Sequence, residues 1–118
     1  MDDRRTHHRY AIWFPVTVTR HDDKAVWSIC RDASAGGVLI SAVAPLDVGE
    51  KVTLSFRLGI HEPEHKIDAR VIRNIDNDDE LLLAFPFRLA LEFLERDDTL
   101  PAALQRRAEI GSRPDLSK

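Results

Sequence analysis

The sequence predicts a mostly-β domain built from six or seven short strands, with one helix at its C-terminal end. Three observations support this fold class. Apolar residues recur at every second position through most of the chain, turn-forming residues separate these runs at close intervals, and only the last part shows a helical pattern. Many short strands favour a barrel or a sandwich, because closing a sheet hides its edges and a helix can cover an open end.

Two predicted turns separate the first three predicted strands. Residues 14–18 alternate between apolar and polar side chains, which is the pattern of a half-buried strand. A polar turn over residues 20–24 separates them from a second strand at residues 25–31. The Gly-rich turn 32–37 follows, and an apolar strand resumes at residues 38–40.

Alternation continues in the second half of the chain. The apolar runs there cover residues 52–58, 67–75, 81–85 and 89–93. The acidic run 76–80 predicts a solvated turn. Pro86 predicts a bulge, a bend or a sheet edge, because proline cannot donate a hydrogen bond to a strand ladder.

The last segment loses the two-residue period. Thr99 is placed to cap a short helix, and Gly111 and Pro114 are placed to end it. The predicted parts of a single domain over residues 1–118 are a mobile arm at 1–9, a β-barrel at 10–94, a C-terminal helix at 97–111 and a frayed tail at 112–118.

Length and composition indicate one ordinary globular domain. The chain has 118 residues, of which 43% are hydrophobic and 31% charged. No apolar run approaches the roughly 20 residues that a membrane span needs, and the N-terminus is charged at once, so we expect no membrane span and no signal peptide. The single cysteine, Cys30, excludes an internal disulfide and fits a cytoplasmic location.

The charge balance limits the class of ligand. A formal net charge of −3 argues against nucleic acid as a partner, since a duplex is a long polyanion. A local cluster of arginines can still capture one small anion. The sequence holds such a cluster at its start, in Arg4, Arg5 and Arg9.

Two short stretches carry the candidate chemistry. Arg5 and Arg9 are four residues apart, so in an extended segment they lie on the same side and present planar forks of donors that suit phosphate oxygens or a guanine edge. After the second strand, Asp32 can accept hydrogen bonds from a guanine, Ser34 offers a hydroxyl, and Gly37 allows close approach of backbone. These residue types suit a small ligand that carries both guanine and phosphate.

The spacing of these stretches resembles a known signature. R-x-x-x-R at Arg5 to Arg9, followed after one hairpin by D-x-S-x-x-G at Asp32, Ser34 and Gly37, is similar to the two-part motif of the PilZ domain family. That family binds the bacterial second messenger cyclic di-GMP. The resemblance covers nearly the whole chain and implies a six-stranded antiparallel (split) β-barrel with a short C-terminal α-helix. It implies a receptor with cyclic di-GMP as its ligand, no other cofactor, no metal and no catalytic role.

The resemblance also implies roles for single residues. Arg5 and Arg9 would clamp a guanine and phosphates, Asp32 and Ser34 would read a guanine edge, and Gly37 would let the ligand approach. Arg4, just before the motif, resembles the version of the family that binds a stacked pair of ligand molecules. A downstream protein partner is expected, but the sequence of this chain contains no motif that identifies it.

Several residues have two interpretations. Asp32 and Ser34 also fit a turn whose side chains bond to local backbone, and both roles are compatible. Arg73 fits either a guanidinium that stacks on a guanine or an exposed strand arginine. The chain could also be an interaction module of the same fold that acts without nucleotide.

Catalytic interpretations are weaker. His61-Glu62-Pro63-Glu64-His65 matches the H-E-x-x-H zinc motif, which requires a helix. Pro63 would break that helix at a cost of ~3 kcal/mol, so the segment is predicted to be a hairpin loop. Cys30 lies in a strand, where a small buried residue is expected. The other enzyme alternative is a flavin-using split barrel, a fold that PilZ domains resemble. A purified sample that is yellow would indicate a flavin enzyme, and one that contains zinc would indicate a zinc enzyme.

Overall fold

The computed structural model describes residues 10–59, 61–75 and 84–111. The predicted arm at 1–9, the acidic turn at 76–80, most of the apolar run at 81–85 and the tail at 112–118 lie outside these described residues.

Six antiparallel strands and one helix form the described domain. They are β1 (Phe14–Thr19), β2 (Ala25–Ala33), β3 (Gly37–Ala42), β4 (Lys51–Arg57), β5 (Glu64–Ile75), β6 (Phe87–Phe93) and α1 (Leu100–Gly111). The strands close into a barrel in the order β1-β2-β3-β6-β5-β4. The predicted six-stranded antiparallel barrel with a short C-terminal helix is confirmed, and the sandwich is excluded.

Alternation of apolar side chains fills the barrel interior. In β4, Val52, Leu54 and Phe56 are buried while the residues between them face outward. Pairing of Val18 with Leu54 joins β1 to β4, which closes the sheet. Cys30 is fully buried in β2, as its strand position predicts.

Helix α1 packs on the barrel at the end where β5 begins. Leu100, Ala103 and Leu104 are buried in the same core as the strands. Thr99 stands at the helix start, where its carbonyl accepts from the Ala103 amide at 3.2 Å. Its hydroxyl does not cap the helix amides as predicted but donates to Asp97 Oδ1 at 2.6 Å, because Asp97 is a charged acceptor within reach.

Three further contacts hold α1 in place. Asp97 Oδ2 lies 3.0 Å from Nδ1 of His65. Arg106 donates to Glu62 at 2.8 Å, and Arg107 donates to the backbone carbonyl of Trp13 at 2.9 Å. Over the stretches that the structure covers, no helix is long and apolar enough to cross a membrane.

Candidate ligand-binding face

A β-bulge near the end of β2 turns Asp32 to the outside of the barrel. Cys30 pairs with Ile40, but Asp32 pairs with Leu39, so Arg31 is an extra residue in β2. Strict alternation would put Asp32 on the same side as buried Cys30. Because of the inserted residue, Arg31 and Asp32 are both half-exposed and follow one another on the outer face.

A second bulge, in β5, does the same for Arg73. Val71 is buried and pairs with Leu91, whereas Arg73 pairs with Ala90 and is exposed. The extra residue here is Ile72, which is 45% exposed. Without it, Arg73 would follow Val71 into the core, where an unpaired guanidinium is very costly.

The two bulges bring their polar residues into one row across four strands. Asp32 pairs with Leu39, Leu39 pairs with Ala90, and Ala90 pairs with Arg73. At ~4.8 Å between neighbouring strands, the row spans about 14 Å. It presents a carboxylate at one end and a guanidinium at the other, over a floor made of Leu39 and the small side chain of Ala90.

Two more arginines flank this row. Arg31 donates from Nη1 to Ser41 Oγ at 3.5 Å, and Arg88 is paired with Ser41 across β3 and β6. Ser41 itself is fully buried, although its hydroxyl lies on the outer side of the sheet. The sequence interpretation missed both arginines. Arg31 directly precedes Asp32, and Arg88 directly precedes the apolar residue Leu89 in an alternating run. These sequence positions could have identified both arginines as candidates for the outer face.

Ser34 serves the β2–β3 turn. It is 4% exposed, and its hydroxyl accepts from the Gly36 amide at 3.1 Å and donates to the Gly37 carbonyl at 3.5 Å. These bonds match the local turn role proposed from the sequence. Its contact with a ligand stays a prediction.

Gly37 has a packing reason for lacking a side chain. A Cβ atom there would collide with the backbone carbonyl of Leu91 and would lie 3.2 Å from the Cα of Glu92. Gly37 therefore allows β3 and β6 to approach each other. The structure shows that strand β6 approaches Gly37 closely. Close approach of a ligand to Gly37 remains a prediction.

The chain enters the barrel beside Asp32. Tyr10 forms an antiparallel bridge with Ala33, with hydrogen bonds of 2.7 and 2.9 Å between their backbone groups. Trp13 follows, and its ring lies 4.8 Å from Cζ of Arg31. Arg4, Arg5 and Arg9 lie outside the described residues, but the residue that attaches them is next to the candidate face.

A groove on the other side of the turn has the wrong charge for a phosphate. It has a volume of about 460 Å³ and lies between the turn at Ala35–Gly36 and the β6–α1 connection. Glu95, Asp97 and Asp98 line it together with one cation, Arg96, so carboxylates outnumber cations there and repel an anionic ligand. The outer face of β2, β3, β6 and β5 is thus the better site for a nucleotide.

The H-E-x-x-H segment is not a helix. His61 and Glu62 form a turn, and His65 is the second residue of β5, which confirms the predicted hairpin loop. His65 is 4% exposed and directs Nδ1 to Asp97. Within the described ranges, no group of three His, Cys, Asp or Glu side chains is arranged to hold a metal ion.

The described residues form a small closed β-barrel whose outer surface carries several arginines beside Asp32 at the end of β2. The PilZ domain model matches residues 3–109 of the sequence. The chain belongs to the PilZ domain family. The sequence matches no curated protein.

Solved structures of low sequence identity share the fold. The inhibitor of motility MotI/DgrA from Bacillus subtilis gives a TM-score of 0.74 at 20% identity, covering 95% of this chain and 55% of that chain. The PilZ domain of YcgR from Escherichia coli with c-di-GMP gives 0.65 at 20% identity, covering 94% and 93%. The PilZ domain of CeSA from a cellulose-synthesizing bacterium gives 0.60 at 19% identity, covering 90% and 99%. This chain thus spans about half of the Bacillus structure and nearly all of the two PilZ domains.

Proposed function

We propose that this domain is a cyclic di-GMP receptor or adaptor in bacterial second-messenger signalling, acting in the cytoplasm and without catalysis. Membership of the PilZ family supports this function, and the YcgR structure contains the same ligand. The observation that carries it is the cross-strand row that begins at Asp32 and ends at Arg73. Such a row offers both an acceptor for guanine and a cation for phosphate.

The chemistry of each end of the row suits one part of the ligand. The Asp32 carboxylate accepts from the N–H donors of a guanine edge. The Arg73 guanidinium either stacks on a guanine plane or pairs with a phosphate. Between them, Leu39 and Ala90 are paired and offer an apolar surface on which a base can lie.

The arm would complete the site. Residues 2–9 contain only charged and polar side chains, so they bury too little apolar surface to offset the entropy lost on ordering. Ligand phosphates would supply the counter-charge that Arg5 and Arg9 need. Since the arm joins the barrel at Tyr10, which is bonded to Ala33, those two arginines have only a short distance to cover to reach Asp32.

Calorimetric titration with cyclic di-GMP tests the function. The wild-type chain should bind, and Arg9→Ala should weaken binding by roughly ten- to a hundredfold, because one bidentate arginine contact contributes about 1–3 kcal/mol. Arg57→Ala is the matched control, since Arg57 is an exposed arginine on β4 that pairs with Glu64 at the start of β5, whereas Arg73 lies near the opposite end of that strand. Equal affinity of Arg9→Ala and wild type would exclude the proposed clamp.

The same titration reports stoichiometry. If Arg4 helps to hold a stacked pair, the wild type should bind two ligands per chain, and Arg4→Leu should shift the count towards one. A wild-type count of one would remove this role for Arg4 and leave the receptor function intact.

Limited trypsin cleavage tests the closing of the arm. Without ligand, cleavage after Arg4, Arg5 and Arg9 should be fast, and saturating cyclic di-GMP should slow it strongly. Cleavage after Arg57, which lies within strand β4, requires the barrel to unfold and should be slow in both states. Protection of the arm in the free protein would mean that the site is preformed, so that the signal must leave from another surface.

An interaction module that acts without nucleotide is the second candidate, and one surface favours it. Trp27 is 65% exposed, and its carbonyl bonds to the amide of Val43, which is 42% exposed. Exposed tryptophan is enriched at protein-binding surfaces, and here a second exposed apolar residue directly follows the neighbouring strand β3. Failure of the wild type to bind cyclic di-GMP, together with a partner lost on Trp27→Ala, would favour this function.

A further inference from the structure

We propose that Arg31, backed by the indole of Trp13, is a stacking platform for a guanine base. The proposal rests on the cyclic di-GMP function and names a part of that site outside its two sequence motifs. Arg31 is the residue that the β2 bulge inserts, so the bulge adds one arginine to the outer face directly before Asp32.

The first observation is the contact between Arg31 and Trp13. The guanidinium carbon lies 4.8 Å from the centroid of the indole, within the range of a cation–π interaction. Trp13 is 46% exposed, so this indole is not a core residue. The exposed part of this ring lies beside an arginine at the candidate face, where a ligand can reach both.

The second observation is that the Arg31 side chain and the Trp13 backbone each have a hydrogen-bond partner within the domain. Nη1 of Arg31 donates to Ser41 Oγ at 3.5 Å. The backbone of Trp13 is fixed from below, because Arg107 of α1 donates to its carbonyl at 2.9 Å. A guanidinium with partners in the free protein loses less conformational entropy when a ligand stacks on it, which favours binding.

The chemistry indicates guanine rather than adenine. A guanidinium is a plane on which a purine can stack, as happens at arginines in many nucleotide sites. Asp32, the next residue in the chain, offers acceptors for the two N–H donors that a guanine edge presents side by side. Adenine presents no such pair, so Arg31 and Asp32 together should select the guanine nucleotide.

Affinity measurements test the platform. Arg31→Ala and Trp13→Ala should each weaken cyclic di-GMP binding by roughly five- to a hundredfold, the range found when one base-stacking side chain is removed. Arg31→Lys should not restore affinity, because an ammonium keeps the charge but lacks the plane. Trp27→Ala and Arg57→Ala are the matched controls, and both should bind like the wild type. Thermal unfolding of Arg31→Ala should match the wild type, which separates lost contact from lost structure.

Fluorescence gives a readout that a purely structural role would not move. In Trp27→Phe, Trp13 is the remaining tryptophan, and cyclic di-GMP should change its emission; Arg31→Ala in that background should abolish most of the change. Cyclic di-AMP should bind the wild type much more weakly than cyclic di-GMP. Wild-type binding that is unaffected by Arg31→Ala would overturn the platform alone, whereas a wild type that binds no cyclic di-GMP would overturn the proposed function itself.

Discussion

Strands β4 and β5 lie side by side in the barrel, yet only β5 departs from strict alternation. In β4 every second residue is buried from Val52 to Phe56. In β5 the same pattern runs from His65 to Val71 and then breaks, leaving Ile72 and Arg73 exposed in succession. Strand β2 breaks in the same way at Arg31. Unbroken alternation builds the core, and its two interruptions build the candidate face.

The largest effect on stability should come from the unbroken strand. Leu54 in β4 is fully buried and pairs with Val18 and Ile67, so Leu54→Ala should lower the free energy of unfolding by about 2–5 kcal/mol. Chemical denaturation measures this change. Arg73→Ala in the bulged part of β5 is the contrasting variant and should leave stability nearly unchanged. Equal destabilisation by Leu54→Ala and Arg73→Ala would mean that the bulged segment of β5 contributes to the core as much as β4 does.

A smaller loss of stability should follow a change at the start of β3. Gly37→Ala would force a Cβ against the backbone of Leu91, which cannot move away as a flexible side chain can. We expect a cost of about 1–3 kcal/mol, as for other overpacked sites. Denaturation of Gly37→Ala beside Gly36→Ala measures it. Unchanged stability together with lost ligand affinity would instead make Gly37 a ligand-binding residue.

The regular part of the fold could be predicted from the sequence, because alternation is a local signal. Residues 52–58 alternate without exception, and the predicted strand there is β4. The family resemblance supplied the strand count and the closed barrel. Asp32 and Arg73 were both selected as candidates from the sequence, and their roles stay predictions, but nothing local indicated that they share one row.

The bulges could not be predicted, because a bulge is a property of two paired strands. It appears only where Cys30 and Asp32 of β2 pair with successive residues of β3. The contact between Arg31 and Trp13 could not be predicted for the same reason, because the two side chains meet only when β1 and β2 are paired. The packing role of Gly37 depends on β6, more than 50 residues away in the chain.

An affinity comparison within β5 tests whether the bulge marks the edge of the site. Arg73→Ala should weaken cyclic di-GMP binding by about tenfold, near the low end of what one arginine contact contributes. Arg70→Ala is the matched control, because Arg70 is an exposed arginine of the same strand before the bulge, paired with Lys51 and Glu92. Equal losses for both variants would point to general electrostatic attraction, and no loss for either would leave Arg73 an ordinary exposed arginine.

The smallest effect concerns the regular end of β5, where His65 meets Asp97. The Asp97 carboxylate accepts from the Thr99 hydroxyl and amide and lies 3.0 Å from His65 Nδ1. These contacts, Thr99 first and His65 second, lower the pKa of Asp97 below its ordinary value of 3.8. Asp97→Asn should therefore cost about 1 kcal/mol at neutral pH, since it weakens a charge-assisted bond at the start of α1.

The pH dependence of this cost has a definite sign. A carboxylate whose pKa is lower in the folded state stabilises the fold at pH above its unfolded pKa and loses that contribution as pH falls through the folded pKa. The wild type and Asp97→Asn should therefore differ most above pH 4 and converge as the pH drops below it. Asp98→Asn is the control, because Asp98 is exposed and pairs with Arg96 only on the surface, so its curve should follow the wild type. A gap between wild type and Asp97→Asn that persists at pH 2 would mean that the asparagine disturbs the packing of α1. In that case the charge of Asp97 would not be what holds the helix to the regular end of β5.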